Sequence, residues 1–133
     1  MPGETYESYC EGHNKLLKAG QHNSVIVFNC ELLMNSRMGQ PETIEAFKIK
    51  SSKTPYKQHH CVPLNDDVCE YSHIVTSTYS MSTEDWIKSC LFTVCVGCFH
   101  NLGLLQCFAI YMYQERGMEY SDFYKQPQHL VAP

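Results

Sequence analysis

The sequence predicts an α+β fold: an N-terminal helix, an antiparallel sheet of three or four strands, and a long apolar C-terminal helix packed on the sheet. Three observations predict it. Tyr6, Tyr9, Cys10, Leu16 and Leu17 fall near one stripe at helical spacing. The middle of the chain breaks into short β-branched and aromatic runs separated by turn residues. The 26 residues from Ser89 to Gln114 carry no formal charge. Residues 1–119 are read as a single domain and 120–133, with Pro127 and Pro133, as a loosely ordered tail.

Each element has a local reason. The first helix covers residues 4–19. Lys15 and Lys18 suit its C-terminal dipole, and Gly20 supplies a left-handed stop. Ser24 to Phe28 reads as a strand running on toward Met34. Asn35 to Pro41 is a turn cluster, and Thr43 to Lys50 a second strand with a wet face. Ser51 to Lys57 reads as a loop. Gln58 to Leu64 reads as a short edge strand containing Pro63. Val68 to Tyr79 is the clearest strand. Ser82 caps the last helix, with Glu84 and Asp85 in its first turn. Gly103 or Gly117 ends it.

Composition narrows the function classes. The chain has 133 residues, 44% apolar, with a net charge of −4, which excludes a disordered or collagen-like protein. The start, Met1 to Glu7, is acidic and polar and lacks a secretory pattern. A cytoplasmic or nuclear location follows as an expectation, and the eight cysteines are then thiols or metal ligands rather than disulfides.

The uncharged stretch needs cover on nearly every side, which argues for a partner. It is also long enough for membrane association through residues 89–114, although His100, Asn101 and Gln106 interrupt it. The leading expectation is a non-enzymatic, regulatory accessory protein. It would bind a protein partner or a second copy of itself through Trp86, Leu91, Phe92, Leu104, Leu105, Phe108, Tyr111 and Tyr113.

Two alternatives carry chemistry. Cys30 follows one predicted strand and His73 lies in a later one, the order of nucleophile and base in several papain-like cysteine hydrolases. That arrangement would make a hydrolase or transferase. Lys48, Lys50, Lys53 and Lys57 give residues 46–60 a charge of +4, against −8 for the remainder, and suit phosphates of a nucleic acid or another anion. The bland reading of that segment is an edge strand kept soluble by lysine. No cofactor is expected. Zinc is the one metal the thiols suit, on Cys69, His73, Cys95 and Cys98.

Overall fold

The computed structural model describes residues 2–56 and 70–128. The fold mixes helices with an antiparallel sheet, as predicted. By its packing the chain divides into two compact units: Met1–Gly3 with Asn29–Ser82, and Glu4–Phe28 with Thr83–Pro133.

The first unit is built around a two-stranded antiparallel sheet, β1 (Lys50–Pro55) and β2 (Tyr71–Ser77), rather than three or four strands. β2 lies within the predicted Val68–Tyr79 run. β1 occupies the segment read as a loop. All six of its residues are exposed, and pairing with β2 rather than propensity makes it a strand. Residues 43–50 begin instead as a short helix, α2 (Pro41–Ala46). Pro41 at its first position presets a helical φ, and Lys48 at φ 49° ends the turn. Residues 24–28 form no strand, because no neighbour pairs with them. Only Glu31 forms an isolated bridge, to Ile74. The predicted strand 58–64 lies outside the described residues.

Leu32, Ile49 and Val75 form this unit's small core, with Cys30, Met38 and Ile44 against it. Gly39 closes the turn beneath it. A Cβ there would meet the Leu33 carbonyl oxygen and approach the Met34 Cα to 2.8 Å. Both are backbone atoms that cannot swing away. Gly39→Ala is therefore expected to cost about 1–3 kcal/mol through overpacking. Urea denaturation of the variant, followed through Tyr and backbone signals, checks this, and an unchanged midpoint would refute the packing argument.

The second unit is helical. α1 (Tyr6–Lys18) starts with a reciprocal cap: Ser8 N–H donates to Thr5 Oγ1 at 3.1 Å and Thr5 N–H donates to Ser8 Oγ at 2.9 Å. It stops at Gly20, left-handed at φ 85°, as the sequence predicts. The predicted long helix is broken. α3 (Thr83–Cys95) runs into a π-helical turn (Val96–Asn101), and α4 (Gln106–Arg116) leaves at 95°. Gly103 at φ 78° sits in the break, and Gly117 at φ 65° closes α4. The break lets both arms face one core, which a straight rod in a chain this small cannot do. No single helix among the described residues is long and apolar enough to cross a membrane; only the bent pair qualifies by length and composition.

Residues 120–125, expected in a loose tail, form α5 (Tyr120–Lys125). Its Tyr120 and Tyr124 join Cys10, Leu17, Phe92, Val96 and Ala109 in the core. Lys18 Nζ reaches Glu119 Oε2 at 2.5 Å, and Asn14 Nδ2 donates to the same oxygen at 2.6 Å, tying α1 to the start of α5.

Candidate functional site

The helical unit buries a linear chain of polar groups at its π-turn. His22 follows the Gly20 stop and half-emerges from the surface. His100 sits on the π-turn with no exposure at all, and Tyr124 comes from α5, equally buried. His22 Nδ1 lies 3.3 Å from His100 Nε2, and His100 Nδ1 lies 2.6 Å from the Tyr124 hydroxyl. Tyr120 stands edge-on to His100 at 6.3 Å between ring centres and stacks on Tyr113 at 4.7 Å.

The proton positions follow from burial. Desolvation holds the Tyr124 hydroxyl far above the ordinary phenol range, so it keeps its proton. Desolvation first, and then the neighbouring His22, push His100 below the usual imidazole range, so it is neutral at neutral pH. Among the described residues His100 is the one partner of the Tyr124 hydroxyl, which must therefore donate to Nδ1. A neutral imidazole that accepts at Nδ1 carries its proton on Nε2. His100 Nε2–H then donates to His22 Nδ1, which leaves the His22 proton on Nε2. The relay has one direction, from Tyr124 through His100 to the half-exposed ring.

The segment carrying His22 is strapped down at two further points. Gln106 Nε2 donates to the His22 carbonyl at 2.6 Å, and Asn101 Nδ2 donates to the Val25 carbonyl at 3.0 Å. His100, Asn101 and Gln106 interrupt the middle of the uncharged stretch, and each turns out to hold the 22–25 segment. A polar group in apolar surroundings must find a partner, so their presence was a signal. The partners lie more than 70 residues away in sequence, and nothing local names them. Asn101 Oδ1 is buried without a hydrogen-bond partner among the described residues. π-turns are rare and recur at functional sites.

The residues singled out from sequence fare differently. Val75 N–H donates to the Cys30 carbonyl at 2.9 Å and Leu32 N–H to the His73 carbonyl at 2.7 Å. The ladder thus sets Cys30 opposite Val75 and His73 opposite Leu32, and Cys30 packs on the apolar core. Lys48, Lys50 and Lys53 lie at or beside the exposed β1, with Lys53 Nζ 3.9 Å over the Tyr71 ring; Lys57 is outside the described residues. Of the predicted zinc ligands, Cys69 is also outside them. His73 belongs to one unit and Cys95 and Cys98 to the other. No three His, Cys, Asp or Glu side chains among the described residues gather as a metal would need. Desolvation raises the Cys10, Cys90 and Cys95 thiols, the opposite of what activates a thiolate. Of the predicted interface residues, Phe92 is core. Trp86, Leu91, Leu105 and Tyr113 are half-buried, and Leu104, Phe108 and Tyr111 are exposed.

A groove of about 510 Å³ in the same unit is lined by Glu7, Glu11, Lys18, Glu119, Asp122 and Lys125, among others. Lys18 is committed to Glu119 there, and Lys125 Nζ lies 3.8 Å from Asp122.

No protein-family profile matches the chain. Two bacterial enzymes do. The chain is 31% identical over 126 residues, 94% of its length, to the cobalamin-dependent radical SAM methyltransferase TokK of Streptomyces tokunonensis. It is 28% identical over 129 residues, 96% of its length, to the 2-(S-pantetheinyl)-carbapenam-3-carboxylate methyltransferase of Streptantibioticus cattleyicolor. It spans only 18% and 19% of those proteins. These relatives overturn the expectation of a non-enzymatic regulatory accessory subunit, and with it the Cys30–His73 hydrolase and the lysine-loop nucleic-acid binder: both relatives transfer methyl groups. They also overturn the expectation of a cofactor-independent or zinc protein, since one is named for cobalamin and radical SAM chemistry. Among the described residues no set of three thiols, imidazoles or carboxylates gathers to ligate a metal, so they supply no donor set for an iron–sulfur cluster.

Proposed function

We propose that this chain works as a segment of a methyl-transferring enzyme of the cobalamin-dependent radical SAM kind. The single observation that carries the reading is the match to two methyltransferases, one of them named as cobalamin-dependent and radical SAM, along more than nine-tenths of the chain. Metal donors for the cofactors would come from outside the described residues, since no donor set gathers within them. What these residues contribute is a rigid helical body with a directed relay, Tyr124 to His100 to His22. Its half-exposed end, His22, is where this buried chain of hydrogen bonds meets the surface.

The test is a graft. The stretch of the Streptantibioticus cattleyicolor methyltransferase that matches this chain is replaced by the chain itself. Methyl transfer to 2-(S-pantetheinyl)-carbapenam-3-carboxylate is then followed by mass spectrometry. Turnover above that of the enzyme lacking the stretch is expected. A graft that folds like its parent by circular dichroism yet transfers no methyl group overturns the reading.

A further inference from the structure

The break between the π-turn and α4 leaves an apolar shoulder in water. Leu102 is 73% exposed, Leu104 65%, Phe108 65% and Tyr111 51%. The adjoining strap adds Ile26 at 72% and Phe28 at 84%. Asn101 and Gln106, on either side of the break, hold the strap at Val25 and His22, directly before Ile26 in the chain. Phe108 and Tyr111 are three apart on α4 and share a face, and Leu104 lies in the break just before the helix. No charged residue interrupts residues 89–114, and the face turns polar only at its C-terminal end, at the exposed Gln114 and Glu115. Exposed apolar surface of this kind marks a contact.

We infer that this shoulder docks against an apolar protein surface belonging to the rest of the methyltransferase, the part that the relatives supply in the other four-fifths of their chains. The inference rests on the reading proposed above. The matching stretch is under a fifth of each relative, so more than four-fifths of each polypeptide lies beyond it to supply such cover without a second copy of this chain. The exposed aromatic at position 108 and its flanking leucines form the anchor, and the strap, pinned by two side-chain amides, forms the rim.

Hydroxyl-radical footprinting compares the free chain with the same chain grafted into the Streptantibioticus cattleyicolor enzyme. Leu104, Phe108 and Tyr111 should be oxidised in the free chain and lose that labelling in the graft. Equal labelling in both overturns the docking even where the graft transfers methyl groups, so this inference fails separately from the functional reading. A graft that does not fold moves the measurement to the chain mixed with the enzyme lacking its matching stretch. There saturable binding is expected, weakened about tenfold or more by Phe108→Asp, and no binding overturns the proposal. Protection in the free chain accompanied by a dimer in sedimentation assigns the face to a second copy and overturns it. Flotation of the free chain with phosphatidylcholine–phosphatidylglycerol vesicles assigns the face to a membrane and overturns it equally.

Discussion

Phe92→Ala should cost the helical unit about 3–5 kcal/mol, the range for deleting a fully buried aromatic ring. The ring has no solvent exposure. It packs with Cys10, Leu17, Val96 and Tyr124, and the rings of His13 and Tyr9 meet it edge-on at 5.4 and 6.4 Å between centres. None of these neighbours can close the hole alone, because they come from three separate helices. A domain is stable by only about 5–15 kcal/mol, so this one change removes a large share. Phe108→Ala is the control. That ring is 65% exposed, and its loss should move stability by no more than about 0.5 kcal/mol. Urea denaturation followed by far-UV circular dichroism measures both. Similar losses in the two variants would show that the core has been placed wrongly.

How much of this was legible in the sequence depends on how local each cause is. α1 was, including its Gly20 stop, because capping, dipole and stripe all act within one helix. The β-rich run around Val75 was, because its residues prefer extended backbone. β1 was not, since Lys50, Ser51, Ser52 and Lys53 have weak strand preference and become a strand only by pairing with β2. α2 is hidden because the charges and Ile44 of residues 43–50 suit a wet strand until the effect of Pro41 at a helix start is weighed with them. The long apolar helix failed for a different reason. Its lack of charge was real, but a chain this small cannot cover a straight rod, and Gly103 allows the bend that solves the problem. The relay was half legible. His100, Asn101 and Gln106 announced buried partners, while His22 and Tyr124 are brought to them only by the fold.

The second large effect is on acidification. The His100 value is lowered in the folded chain relative to the ordinary 6.5, by burial and then by His22. Below 6.5 the unfolded chain therefore binds a proton that the folded chain resists. Stability is complete above that pH and is lost as pH falls from 6.5 through the folded value. The geometry gives the loss a route. Protonated His100 carries hydrogen on both nitrogens, so its Nδ1–H confronts the hydroxyl hydrogen of Tyr124, which must turn and become an acceptor. Tyr120, Tyr124 and His22 surround the ring, and none of them carries the negative charge that an imidazolium would need. Thermal denaturation between pH 8 and pH 5 should show a falling midpoint in the wild type. In His100→Leu the profile should be flatter, on a baseline lowered by about 1–3 kcal/mol at pH 8 because the Tyr124 hydroxyl loses its acceptor. Nitrogen chemical shifts should report a neutral His100 with its proton on Nε2 at pH 7. An imidazolium at that pH, or a variant profile as steep as the wild type, would break the argument.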